Sequence, residues 1–245
     1  MSVTFRRSIV VGATSGIGAA IATRLVESGH SVAAIGRRAD RLAALAPGSS
    51  LVRRYAFDTT RVDDVPALFE RIVEDLGGLD ALIYAAGVMA STVEGEYAFG
   101  KDRSMVEVNL LAPMAWMNLA AARFEAARAG TIVGISSVAG ERGRRKNPGY
   151  AATKAGLSTY LEALRNRCSR YGVNVVTAKP GFVDTDMTRG LPGLFWLISA
   201  DDAAAQILAL AARGRSASGF VPPRWSAVAL VVRLLPSVVF RRLNF

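Results

Sequence analysis

Ser8-Ile-Val-Val11-Gly12-Ala-Thr-Ser-Gly16-Ile-Gly18 is the stretch from which the rest of the chain is read. Its first four residues make an apolar run of strand length, and the residues from Ile17 to Glu27 carry helical periodicity. The glycines therefore occupy the turn between a strand and a helix. Gly12 suits a tight turn, Gly16 lets a pyrophosphate approach the backbone, and Gly18 allows close helix–sheet packing. The helix N-terminus adds free N–H groups and a favourable dipole, with Thr14, Ser15 and Ile17 completing a phosphate-binding turn. Three residues separate Gly12 from Gly16, one more pair than the usual G-x-G start contains. An ordinary strand–helix turn is the alternative for glycines alone, and the strand–turn–helix context favours a dinucleotide site.

Outward from this turn, strand-length apolar runs alternate with longer helical segments. Strands are expected at Ser31–Ile35, Leu51–Phe57, Ala81–Tyr84, Thr131–Ile135 and Val173–Thr177. Helices are expected near Arg61–Leu76, Lys101–Arg128, Pro148–Tyr171 and Ala200–Arg213. Continuous apolar strands separated by helices predict an α/β fold, a single doubly wound, Rossmann-type parallel sheet with helices on both faces. Residues 1–222 read as one dinucleotide-binding and catalytic domain, and residues 223–245 as an apolar and basic C-terminal helical appendage.

The 245 residues suffice for one large domain, and 51% apolar content excludes a disordered chain. A single cysteine, Cys168, excludes a disulfide framework, and a single histidine, His30, excludes multi-histidine metal sites. No metal is expected. The N-terminal residues lack the pattern of a secretory signal, so a cytoplasmic, reducing location is expected. The net charge of +10 points to an anionic partner without choosing among phosphate, lipid head groups and nucleic acid.

The second strand ends in Gly36-Arg37-Arg38, where an acidic residue would accept bonds from ribose hydroxyls. Guanidinium groups suit a 2′-phosphate instead, so NADP is favoured over NAD. A solvated basic pair is the plainer alternative. Further on, Tyr150-Ala-Ala-Thr-Lys154 sets a phenol and an ammonium on one helix face, with Asn147-Pro148 as N-cap and first-turn proline. A free phenol, with a pKa of about 10, is a poor proton donor near neutrality, and a neighbouring ammonium lowers that value. Ser137 closes the strand before this helix and can hold a carbonyl while Tyr150 protonates its oxygen.

With these residues in order, the sequence resembles a classical short-chain dehydrogenase/reductase over about residues 5–222. The resemblance implies a catalytic tetrad of Asn109, Ser137, Tyr150 and Lys154. It implies that Asn109 holds a relay water and that Lys154, besides tuning Tyr150, binds the nicotinamide ribose. It places Asp58 at the adenine, Ala86 and Gly87 in the stretch Tyr84-Ala-Ala-Gly87 beside the cofactor, and Pro180, Gly181, Val183 and Thr185 at the nicotinamide. Tyr84 and Ala85 stand where the family usually has two asparagines, and Val11 where a threonine is common. Bracing of the strand ends and adenine binding are the features these departures touch. Lys179, before Pro180, reads equally as a solvated strand-end lysine or as a charge at the rim of the site.

Arg142, Arg144, Arg145 and Lys146 cluster between Ser137 and Tyr150 and favour an anionic substrate over a merely solvated loop. Trp225–Phe245 is too short and too charged to cross a bilayer and suits an interfacial helix, the mouth of an apolar pocket, or a segment packed on the core or on a sister subunit. The loop and tail resemble those of family members that reduce lipid-linked keto-sugars. The expected activity is NADP-dependent interconversion of a ketone and a secondary alcohol, on a small-molecule or lipid-like carbonyl, in a membrane-peripheral homodimer or homotetramer. Reduction of a soluble ketone, such as a 3-oxoacyl thioester or a steroid, is the alternative within that class. A non-catalytic dinucleotide-sensing protein is the alternative outside it. Nucleic acid is not expected as a partner.

Overall fold

The computed structural model describes residues 5–93 and 95–242, so the ends of the expected 1–222 and 223–245 segments, residues 1–4 and 243–245, lie outside the described residues. The chain runs β1 (Arg7–Val11), α1 (Gly16–Glu27), β2 (Ser31–Gly36), α2 (Ala39–Ala43), β3 (Val52–Ala56), α3 (Val65–Leu76) and β4 (Ala81–Tyr84). It continues through α4 (Phe99–Val106), α5 (Ala112–Ala127), β5 (Gly130–Ile135), α6 (Pro148–Cys168) and β6 (Val173–Pro180). The last elements are β7 (Val183–Asp184), β8 (Ile198–Ser199), α7 (Ala200–Ala211), β9 (Ala217–Val221), α8 (Trp225–Leu234) and α9 (Ser237–Phe240).

The strands order as β3-β2-β1-β4-β5-β6-β9, every pairing parallel. The two-residue side-chain period sends Val10, Ala34, Ile83 and Val176 to a core shared with α1 and α7. Ile9, Ile35, Leu82 and Ile132 point the other way, onto α3, α5 and α6. Both faces are therefore covered, and the winding direction reverses between β1 and β4. A crevice outside the carboxyl ends of the strands follows at that reversal, where doubly wound folds bind ligands.

The structure corrects three expectations. The helix expected over Lys101–Arg128 is broken by a π-helical turn at Glu107–Leu111, which the continuous apolar pattern conceals. A seventh strand, β9, pairs along β6, although Ala-Ser-Gly-Phe-Val carries too few apolar residues to read as a strand. Lys179 is not solvated: it is buried, and its Nζ lies 2.7 Å from the Glu141 carboxylate.

Candidate active site

The glycine turn sits at the sheet reversal. Gly12 has φ +92°, and a Cβ there would fall 2.4 Å from the Ala86 backbone nitrogen. A Cβ at Gly18 would fall 2.3 Å from the Gly12 carbonyl oxygen, so α1 packs tightly on the turn. Ser15 caps α1 without a side-chain hydrogen bond, and no acidic residue stands in the first turn. The leading N–H groups are thus unclaimed by side chains and carry the positive end of the helix dipole, as a bound phosphate requires. Thr185 packs against Gly16, which brings the segment after β6 over the same turn.

Arg38 folds back onto this turn, donating to Ser15 Oγ at 2.6 Å and to Thr14 Oγ1 at 3.2 Å, with Asp186 3.5 Å away. Arg37 points toward Asp58 at 3.9 Å. Asp58 accepts from the Thr60 N–H (3.0 Å) and hydroxyl (2.8 Å), which with the nearby arginines hold its carboxyl below the usual range. Two guanidinium groups border this end of the turn, and these donors fit the 2′-phosphate of NADP. Tyr84 supplies its own bracing in place of the family's asparagine. Its buried hydroxyl donates to the Val108 carbonyl (3.1 Å) and lies 3.0 Å from Thr59 Oγ1, tying β4 to the π-helical turn. Burial pushes its pKa up, so it stays a neutral phenol.

Two of the catalytic candidates meet at Gly87, where a Cβ would lie 3.4 Å from Asn109 Oδ1 and 3.5 Å from Lys154 Nζ. Asn109 is fully buried in the π-helical turn. Its Oδ1 accepts from the Val88 N–H and its Nδ2 donates to the Val88 carbonyl, both at 2.8 Å, with Thr153 Oγ1 at 3.2 Å. Asn147 caps α6 by accepting from the Tyr150 N–H at 3.1 Å, which fixes Tyr150 in the first turn. Lys154 stands one turn on, its Nζ 5.7 Å from the centre of the Tyr150 ring and donating to the Ile135 carbonyl at 2.9 Å. Burial pushes the Lys154 pKa down to about 8. Burial raises that of Tyr150, opposed by the Ser137 hydroxyl and the Arg144 guanidinium. Ser137 Oγ accepts from the Ala139 N–H at 3.1 Å, so its own proton is directed away from the backbone.

The sequence matches the short chain dehydrogenase family over residues 6–192. The chain belongs to that family. Among curated relatives, this short chain dehydrogenase is 33% identical to an uncharacterized oxidoreductase of Staphylococcus aureus over 187 residues, 76% of this chain and 81% of that one. It is 28% identical to an uncharacterized oxidoreductase of Mycobacterium tuberculosis over 98% of both chains. Among solved structures it is similar to ElxO with NADP bound, with a TM-score of 0.79 and 22% identity over 90% of this chain and 99% of that one. The protein is accordingly an oxidoreductase of Rossmann-type fold.

In this short chain dehydrogenase the C-terminal segment is built into the rim of the site. A Cβ at Gly181 would strike the Trp225 indole, so α8 begins directly over the Pro180-Gly181 stretch. Trp225 packs with Phe182 (5.5 Å), Phe195 (5.1 Å) and Trp196 (5.7 Å between ring centres). Glu141, four residues after Ser137, is buried between Lys179 and Arg233 of α8. Arg142 donates to the Val232 (2.6 Å) and Leu235 (2.5 Å) carbonyls at the end of α8 and stacks on Phe240 at 4.1 Å. Val183 is buried in β7. The sequence reading gave no role to Glu141, Phe182 or Thr59, each of which acts through contacts with other segments.

Proposed function

We propose that this short chain dehydrogenase is an NADP-dependent enzyme interconverting a ketone and a secondary alcohol, on an anionic or lipid-like substrate at a membrane surface. The buried Lys154 ammonium 5.7 Å from the centre of the Tyr150 ring, with the Ser137 hydroxyl acting on that phenol and a glycine turn suited to a dinucleotide phosphate in the same fold, supports the reading. When bound, the reduced nicotinamide supplies the hydride to the carbonyl carbon. Ser137 donates a hydrogen bond to the carbonyl oxygen, and the Tyr150 hydroxyl transfers its proton there as negative charge develops. Lys154 and Arg144 both stabilise the phenolate that remains. The Asn109 side chain is committed to Val88 and Thr153, so its main-chain carbonyl in the π-helical turn is the group left to hold a relay water to Lys154. A non-catalytic nucleotide sensor has no use for a matched acid and a desolvated lysine beside it.

The lipid-like part of the reading rests on the rim. Tyr97 (98% exposed) and Phe99 (77%), Phe195 and Trp196, and Leu230 and Leu234 (74%) present apolar side chains to solvent. The three segments are stitched together: Thr92 donates to the Lys146 carbonyl, Arg145 to the Arg241 carbonyl and Arg224 to the Trp196 carbonyl. Arg224 lies over the Trp196 ring at 5.1 Å, and Lys146 and Arg241 belong to the joined segments, a mixture of cations and apolar groups that suits an interfacial surface facing anionic lipid. Among the described residues no helix is long and apolar enough to cross a membrane. A peripheral cytoplasmic enzyme, assembled as a homodimer or homotetramer, belongs to the same proposal.

The test is oxidation of NADPH, followed by its absorbance, against soluble and micelle-presented ketones, with NADH in parallel. Turnover with preference for NADPH is expected. Absence of turnover across the panel, with no binding of NADPH, overturns the reading.

A further inference from the structure

The turn that follows β5 is fastened to three other parts of the chain. Ser137 caps it: Ser137 Oγ accepts from the Ala139 N–H and the Ser137 carbonyl from the Gly140 N–H, both at 3.1 Å, and a 3-10 turn runs over Val138–Glu141. Gly140 is seated on α6, where a Cβ would fall 2.7 Å from the Lys154 carbonyl carbon. Ser136, just before the cap, donates to the Lys154 carbonyl at 2.9 Å. Glu141 ends the turn, and its buried carboxylate gives one oxygen to each of two further segments. Oε1 lies 2.7 Å from Lys179 Nζ, at the end of β6 and directly before Pro180. Oε2 meets the Arg233 guanidinium of α8. Arg142 then bonds the Val232 and Leu235 carbonyls, while Trp225, at the other end of α8, packs on Gly181.

A short 3-10 turn has poorly aligned hydrogen bonds and does not hold one geometry firmly by itself. The Ser137 hydroxyl, by contrast, stabilises developing charge only from about 2.7–3.1 Å of the oxyanion. The firmness has to come from outside the turn. A buried carboxylate between two cations supplies it, because parting it from either one leaves charge uncompensated away from water. Glu141 is the residue of the turn whose side chain reaches β6 and α8 together. We propose that Glu141 is a positioning residue for carbonyl reduction, fixing the Ser137 hydroxyl by holding the far end of its turn against Lys179 and Arg233. It acts through Ser137 and needs no contact with substrate. The tail thereby takes part in catalysis, which goes beyond the carbonyl-reductase reading above and rests on it for the role of Ser137.

The experiment compares wild type with Glu141→Asp, Arg233→Met and Arg233→Lys, each with and without Ser137→Ala. Glu141→Asp keeps the charge and withdraws it by one methylene. Arg233→Met leaves the Lys179 pair in place, so it answers even where Glu141→Asp folds poorly. In NADPH-saturated Glu141→Asp, kcat for 2-decanone in detergent micelles is expected to fall roughly 10-fold, part of the 100-fold that a displacement of about 1 Å can cost, with KM and NADPH affinity changed less than about 3-fold. A smaller fall is expected in Arg233→Met, with recovery in Arg233→Lys. In the Ser137→Ala background both falls are expected to vanish, because the hydroxyl they misplace is gone; a merely structural loss would persist there. Hydrogen exchange of the Ala139 and Gly140 amides, read by NMR against the amides of β5, needs no turnover. Faster exchange at those two, with β5 unchanged, is expected in Glu141→Asp and Arg233→Met. If no ketone is reduced yet the two amides are released, Glu141 holds the turn and the carbonyl reading falls. Unchanged exchange at Ala139 and Gly140, an undiminished kcat in both folded variants, or a fall just as large without the Ser137 hydroxyl overturns the proposal.

Discussion

Replacing Glu141 by Gln should destabilise the protein far more than replacing Arg233 by Met, although both changes break the same ion pair. The Glu141 side chain is 2% exposed and meets two cations of unequal burial, Lys179 at 10% and Arg233 at 56%. In Glu141→Gln, Lys179 remains in the protein, over the Phe220 ring at 5.6 Å, without its counter-charge. An uncompensated buried charge of this kind costs about 3–5 kcal/mol. In Arg233→Met, Glu141 keeps Lys179 at 2.7 Å, and what is lost is a pair whose cation was already half in water, worth about 1 kcal/mol or less. Equilibrium urea unfolding followed by tryptophan fluorescence reads both, since Trp225 sits at the start of the same helix. A Glu141→Gln cost no greater than that of Arg233→Met would refute the claim that the carboxylate serves mainly to neutralise Lys179.

Arg38→Asp should weaken NADPH relative to NADH by about 10- to 100-fold, and Arg37→Asp by less, because only Arg38 is fastened to Ser15 on the phosphate turn; fluorescence titration with both cofactors decides it, and an unchanged ratio contradicts the assignment. Lys154 has a native pKa of about 8 against an ordinary value of 10.5, so between those values the unfolded chain holds a proton that the native protein has released. Stability of the cofactor-free protein should therefore rise with pH across that window, and Lys154→Met should lack about 1–3 kcal/mol of that rise in urea midpoints. Leu230→Ser with Leu234→Ser changes exposed positions alone and should reduce sedimentation with phosphatidylglycerol vesicles at low salt; wild-type protein that fails to sediment under those conditions refutes membrane contact.

The glycine turn, the strand alternation around it and the Tyr150–Lys154 pair were legible because each is a local pattern. Val11 to Gly18 imposes a turn by backbone geometry, and Tyr150 and Lys154 share a helix face whatever surrounds them. What escaped depends on partners distant in sequence. The π-helical turn at Glu107–Leu111 keeps the apolar character of a continuous helix, so nothing in the pattern marks the extra residue that buries Asn109. Lys179 looks like any charge at a strand end until Glu141 is brought against it. Four cations from Arg142 to Lys146 read as one basic patch, and the fold alone distinguishes the two that bind the tail from Arg144. β9 is a strand by virtue of its place along β6 rather than its composition.

The most direct measurement is turnover of a ketone by Tyr150→Phe, with NADPH affinity determined on the same preparation. Loss of the hydroxyl removes the proton donor and leaves the ring, the α6 cap at Asn147 and the glycine turn in place. The account predicts a fall in kcat of at least about 100-fold, with NADPH binding essentially retained. Turnover close to wild type, with the cofactor still bound, would contradict it.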